Sequence, residues 1–197
     1  MDFDQILGPE RLMAILRGLP PDETVKLATR LWDAGVTLLE VPIATPEAVQ
    51  SLRAAVDAGR QRGMRVGAGT VITPEQARTA AAAGAQYTVA PGLDLTVLAA
   101  SLAAGLPHLP GVGTATEVQR ARAAGCRWLK AFPAKALGTT WLRAVLGPFP
   151  DVRFVATGGL SVSDVPAFLS GGAAVVALGS ALADPDQLDN IGTLLRP

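Results

Sequence analysis

One recurrence constrains this chain more than anything else in it: an alanine-rich stretch runs into Ala-Gly or Gly-Gly and then at once into a β-rich run. It appears in DAGVTLLEVP, AAGAQYTVAP, AAGLPHLPG, AAGCRWLKAF and SGGAAVVALGS. A glycine just past a helix adopts the left-handed conformation that ends it, and the chain then enters a strand within a few residues. The runs that follow, such as residues 36–41 and 173–178, are apolar without clean alternation, the pattern of parallel strands covered on both faces. Read in order, the pattern predicts strands at 13–17, 36–41, 65–69, 86–90, 107–110, 127–131, 152–156 and 174–178. Helices fill the intervals, several with start signals: Pro20-Pro21-Asp22-Glu23, Thr45-Pro46-Glu47, Thr73-Pro74-Glu75 and Ser161-Val162-Ser163-Asp164. Residues 1–11 read as a short leading helix, and the short polar region after Gly179 predicts a stunted last helix.

Alternating strands and helices suit either a closed barrel or an open doubly wound sheet. The count of eight favours a single (β/α)8 barrel, the TIM-barrel fold, over residues 1–197. Its loops must be short, because barrels typically need about 250 residues. A dinucleotide fold is disfavoured: Gly67-Ala68-Gly69-Thr70 runs into Val71-Ile72 and lacks the third glycine of that fingerprint. No linker or composition break marks a second domain.

Seventeen basic and seventeen acidic side chains cancel without long blocks of either sign, which argues against nucleic acid and for a small-molecule ligand. No apolar run is long enough to span a bilayer, and the acidic N-terminus does not read as a signal peptide, so the expectation is a cytoplasmic protein with no membrane partner. Cys126 is the only cysteine and His108 the only histidine, which excludes an intrachain disulfide and a His/Cys metal cluster. Cys126 reads as a small buried apolar residue, His108 as structural or surface, and Trp32, Trp128 and Trp141 as core or interface aromatics.

A barrel places its chemistry at the carboxyl ends of its strands. Lys130 lies there, in Trp128-Leu129-Lys130-Ala131-Phe132-Pro133. Apolar neighbours favour the neutral amine, the form that attacks a carbonyl; the alternative is a lysine paired with an acid or reaching solvent. Of the other two lysines, Lys26 reads as a surface residue and Lys135 as a loop residue near the same barrel end. Glu40, in Leu38-Leu39-Glu40-Val41-Pro42, is a general base facing the mouth, half of a buried ion pair, or both. Arg17 ends the first strand, where its planar fork suits a carboxylate or phosphate unless it pairs only with Glu40. Thr157-Gly158-Gly159 and Gly179-Ser180 follow the last two strands, where barrels commonly hold phosphate on backbone N–H groups.

The segments AILRG, LLEVPIATPEA, VGAGTVITPEQ, VAPGLD, LPGVGTATE, LKAFPAKALG, GPFPDVRFVATGGLS and ALGSAL occur in the order found in one family. In these the chain resembles the 2-keto-3-deoxy-6-phosphogluconate (KDPG) aldolases, some of which also act on 4-hydroxy-2-oxoglutarate (KHG). The resemblance implies a metal-free, cofactor-free class I aldolase, a trimeric barrel that takes a phosphorylated keto acid. It implies that Lys130 forms an imine with the substrate's C2 ketone and Glu40 moves protons. It further implies that Thr70, Pro91, Phe132 and Thr157 line the site, and that Gly158, Gly159, Gly179 and Ser180 hold phosphate. One position departs from the pattern: many members carry an arginine four residues after the glutamate, where this chain has Ala44. Arg17 is the residue expected to supply that charge to the substrate carboxylate. The C4 epimer of KDPG, 2-keto-3-deoxy-6-phosphogalactonate, stays open as substrate. So do a phosphate-binding isomerase or decarboxylase without an imine and a non-catalytic sugar-phosphate barrel.

Overall fold

The computed structural model describes residues 3–8 and 10–183. Nine strands, β1 (Leu12–Ile15), β2 (Leu38–Pro42), β3 (Arg65–Gly69), β4 (Thr88–Val89), β5 (His108–Leu109), β6 (Gly111–Val112), β7 (Trp128–Ala131), β8 (Arg153–Thr157) and β9 (Ala173–Leu178), form one parallel sheet ordered β5-β4-β3-β2-β1-β9-β8-β7-β6. The two ends of that order, β5 and β6, are the same stretch of chain, separated only by Pro110. The sheet therefore closes, and the barrel is preferred over the open sheet. The predicted strand at 107–110 is in fact these two short strands. Pro110 has no N–H to give the ladder, but its carbonyl still accepts from Lys130 N at 2.8 Å, which carries the pairing across the break.

Outside the barrel run α2 (Pro21–Asp33), α3 (Pro46–Arg62), α4 (Pro74–Ala82), α5 (Leu95–Ala103), α6 (Ala115–Ala123), α7 (Ala134–Leu146) and α8 (Val165–Ser170). Their starts follow the sequence signals: the Thr45 hydroxyl accepts from Ala48 N, and Thr73 with Gln76 and Thr114 with Glu117 form reciprocal caps. The leading helix, α1 (Phe3–Leu7), is shorter than the expected 1–11, because Gly8 turns to a φ of +42° and ends it. Residues 180–183 form a single 3₁₀ turn; the rest of the expected stunted helix lies outside the described residues. Among the described residues no helix is long and apolar enough to cross a membrane.

Two cores follow from the two-residue period of the strands. Leu12, Ala14, Leu39, Val41, Val66, Ala68, Leu129, Ala131, Phe154 and Ala156 face outward and bury against the helices. Met13, Ile15, Leu38, Tyr87, Val89, Leu109, Trp128, Val155, Val175 and Ala177 face inward, and Phe3, Ile6 and Leu7 of α1 plug the end beneath them. The plug is tied down: Trp128 Nε1 donates to Asp4 Oδ1 at 2.9 Å, and the Arg65 guanidinium donates to the carbonyls of Gln5 and Ile6. Continuing the inward parity by one step on β2, β7 and β8 brings Glu40, Lys130 and Thr157 onto the layer above this apolar fill.

His108 sits on the outward side of β5, where Thr88 bonds both Ser101 of α5 at 2.5 Å and His108 Nδ1 at 2.8 Å. It is structural and fully buried, and loss of hydration pushes its pKa down from 6.5 to about 4, against a small opposing pull from Asp94. Because the folded state resists protonation there, stability is complete above pH 6.5 and is lost as the pH falls toward 4. Urea unfolding at pH 7 and pH 5 should differ by about 1–2 kcal/mol, and His108→Gln should remove most of that difference.

Candidate active site

Lys130 is 5% exposed, Glu40 1% and Thr157 3%, three polar side chains buried together at the carboxyl end of the barrel. Lys130 Nζ lies 3.9 Å from Glu40 Oε1, too far for a hydrogen bond, and Glu40 Oε1 accepts no hydrogen bond from any described residue. Lys130 Nζ also lies 5.3 Å from the centroid of the Phe132 ring. Such a pair has surrendered hydration without taking up the short contacts that normally offset it, an arrangement met at reactive sites more than at purely structural ones.

Above the pair opens a cavity of about 350 Å³, whose lining includes Arg17, Lys130, Phe132, Thr157, Gly158, Gly159, Gly179 and Ser180. Eight of the eleven residues expected at the site thus line one cavity, and Glu40 lies beneath it against Lys130. Thr70 and Pro91 stand on the neighbouring strand ends, after β3 and β4. Thr70 has a φ of +57°, which a β-branched residue rarely adopts without a functional reason. Arg17 is exposed and makes no ion pair with a described residue, so the alternative in which it pairs only with Glu40 does not hold. Among the described residues it is, besides Lys130, the one basic side chain on the cavity wall. Ala44, exposed just beyond β2, brings no charge.

The loop after β8 requires its glycines. Gly158 and Gly159 both take positive φ, +105° and +74°. A Cβ on Gly158 would press at 3.0 Å on the Phe132 ring, and one on Gly159 at 3.1 Å on Lys135. Lys135 itself turns away: its Nζ donates to both carboxylate oxygens of Asp164 at 2.7 and 2.9 Å. That contact first, and then the N–H and hydroxyl of Ser161, hold the Asp164 carboxyl down to about 2. Lys26 is exposed on α2, as expected.

Sequence reasoning overlooked two things. The cavity wall includes five leucines, Leu16, Leu19, Leu27, Leu160 and Leu182. The second glycine of Val66-Gly67-Ala68-Gly69 is a slot for Glu40: a Cβ on Gly69 would fall 2.0 Å from Glu40 Oε1. Glycine inside a strand is the available signal of such close approach. Among the described residues no group of three or more His, Cys, Asp or Glu side chains is placed to hold a metal ion.

With this geometry in hand, the sequence matches the family model of the KDPG and KHG aldolases over residues 3–193. The chain belongs to that family. It is therefore an aldolase, a lyase by reaction class. It is 37% identical to the 2-dehydro-3-deoxy-6-phosphogalactonate aldolase of Escherichia coli (strain K12) over 172 residues, 87% of this chain and 83% of the relative. Among solved structures, the 4-hydroxy-2-oxoglutarate/2-dehydro-3-deoxyphosphogluconate aldolase from TTHB1 superposes with a TM-score of 0.88 at 36% identity, covering 100% of both chains. The KDPG aldolase of Legionella pneumophila, solved with pyruvate captured as a covalent carbinolamine, superposes with a TM-score of 0.84 at 30% identity, covering 96% of this chain and 94% of that one.

Proposed function

We propose that this aldolase cleaves KDPG to pyruvate and glyceraldehyde 3-phosphate through an imine on Lys130. The observation that carries the reading is the buried Lys130–Glu40 pair, 3.9 Å apart beneath a cavity rimmed by two glycine loops and by Arg17, which pairs with no described acid. Neutral Lys130 adds to the C2 ketone to give a carbinolamine, the species captured in the Legionella relative, and loss of water gives the protonated imine. Glu40 accepts the C4 hydroxyl proton, the C3–C4 bond breaks, its electron pair flows into the imine as an enamine, and the aldehyde leaves. Reprotonation at C3 and addition of water release pyruvate and the free amine. At 3.9 Å a water or a substrate hydroxyl set to one side of the pair reaches both the carboxylate and the amine and relays the proton between them.

Thr70, Pro91, Phe132 and Thr157 shape the pyruvate end in this reading, and Gly158, Gly159, Gly179 and Ser180 take the phosphate. The protein acts on its phosphorylated keto acid without cofactor, as a homotrimer whose exposed Ile72, Leu95 and Leu102 offer apolar surface to neighbouring copies. The C4 epimer, the substrate named for the Escherichia coli relative at 37% identity, is the second reading, and that likeness is what favours it. Pyruvate release from the two purified epimers decides between them: kcat/KM at least tenfold higher for the gluconate-derived epimer is expected, and the reverse order overturns the assignment.

Arg17 gives a separate prediction. If it holds the carboxylate in place of the missing arginine, Arg17→Ala should raise KM about tenfold both for the phosphorylated substrate and for KHG, which has no phosphate, and Arg17→Lys should restore only part, because a point charge lacks the bidentate fork. A rise confined to the phosphorylated substrate would move Arg17 to the phosphate end.

A further inference from the structure

We infer that Tyr87 is a positioning residue for Glu40, reaching it across the slot left by Gly67. The inference rests on the proton-carrying role given to Glu40 above.

Tyr87, the only tyrosine of the chain, is wholly buried on the inward side just before β4. Its ring lies across β3, where a Cβ on Gly67 would fall 2.1, 2.3 and 2.4 Å from three of its ring carbons. Only a residue without a side chain admits the ring there. From that position the hydroxyl passes β3 altogether and donates to the Leu39 carbonyl of β2 at 2.7 Å. The Phe3 ring backs it edge-on, with centroids 6.0 Å apart.

The Leu39 carbonyl belongs to the peptide that ends at Glu40 N. The following peptide is held too, because the Glu40 carbonyl accepts from Leu16 N at 2.8 Å. Both peptide planes flanking the Glu40 Cα are therefore fixed, and with them the direction of its side chain. This matters because the tip is weakly held: Oε1 accepts no hydrogen bond from a described residue, and Lys130 stands 3.9 Å away. A carboxylate free to meet substrate has to be aimed from its backbone. Burial first, and then the charge of Glu40, push the phenol far above its ordinary pKa, so the hydroxyl remains a donor throughout the working pH range.

Tyr87→Phe removes the hydroxyl and leaves the ring on Gly67. We expect kcat for cleavage to fall about five- to tenfold with KM within about twofold. Exchange of the pyruvate methyl protons with deuterium, which needs the base and no aldehyde, should fall in parallel. The fraction of protein trapped by borohydride at saturating pyruvate should stay unchanged. In a Glu40→Gln background the same substitution should cost nothing more, since an aimed carboxylate is no longer there to be lost. Equal losses in both backgrounds would mean that the hydroxyl only supports the fold, and no loss in either would end the proposal. If Glu40→Gln alone leaves cleavage and exchange intact, the role of Glu40 fails first; if it is severe while Tyr87→Phe is neutral, only Tyr87 fails. Should Tyr87→Phe not fold, 3-fluorotyrosine labels this one ring, and a fluorine resonance unmoved by Glu40→Gln would overturn the coupling.

Discussion

Borohydride reduction of the protein loaded with pyruvate is expected to leave one stable adduct, on Lys130. The chain has three lysines, at 26, 130 and 135, so peptide mass analysis distinguishes every outcome. Lys26 is exposed on α2 and does not line the cavity. Lys135 is closer, but its ammonium is clamped by both oxygens of Asp164, and forming an imine there would break two charge-assisted hydrogen bonds. Of the three, Lys130 alone lines the cavity, and its one acidic neighbour among the described residues stands off at 3.9 Å. Lys130→Ala should abolish the adduct and lower kcat/KM by at least about 10⁴-fold, roughly 5.5 kcal/mol of transition-state stabilisation. That variant also leaves Glu40 buried without its cation, so its fold needs checking by circular dichroism. The adduct on the unmodified chain is the cleaner measurement. Reduction that marks Lys26 or Lys135 and spares Lys130 would sink the mechanism, and full turnover with no adduct on any lysine would favour a barrel enzyme that forms no imine.

Much of this architecture was legible before any coordinates, for a physical reason. A parallel barrel repeats one local event, helix to glycine to strand, and each repetition leaves its own mark, so strands near 38–42, 65–69, 128–131, 153–157 and 173–178 stand close to where periodicity predicts them. Lys130 and Glu40 were visible because a charge inside an apolar run is costly and hence conspicuous. The mouth of the site was legible as loops, from the glycines after β8 and β9. What stayed hidden depends on register between distant strands. Nothing local says that the Pro110 carbonyl still pairs with Lys130 N across the break, or that Arg17 leaves Glu40 alone. The pairing of Glu40 with Gly67 and of Pro42 with Gly69 across β2 and β3 is equally non-local. Read as a local motif, Gly67-Ala68-Gly69 is only a failed dinucleotide fingerprint. Read in register, its two glycines are the spaces that Tyr87 and Glu40 occupy.

Those two spaces differ in what fills them, which makes Gly69→Ala the sharpest single test of how the carboxylate is placed. Its added methyl would fall 2.0, 2.6 and 2.7 Å from Oε1, Cδ and Cγ of Glu40, so something must shift. Gly69 does not need left-handed backbone, and what blocks the methyl is the flexible Glu40 side chain from Cγ outward, whose Oε1 accepts no hydrogen bond from a described residue. Glu40 is expected to turn about its side-chain bonds to make room, with the melting temperature changing by only a few degrees. The chemistry should suffer far more. A displacement of about 1 Å at a proton-transferring group typically costs around a hundredfold, so kcat should fall by about 10²-fold while borohydride still traps pyruvate on Lys130. Adding Glu40→Asp to Gly69→Ala removes one methylene from the crowded side chain and should recover part of that loss, although Glu40→Asp alone is expected to be harmful. Gly67→Ala is the contrasting case: its methyl meets the wholly buried Tyr87 ring, which is wedged against Phe3 and has nowhere to go, so there the loss should appear in stability. Unchanged kcat in a folded Gly69→Ala variant would show that the position of Glu40 does not limit the reaction.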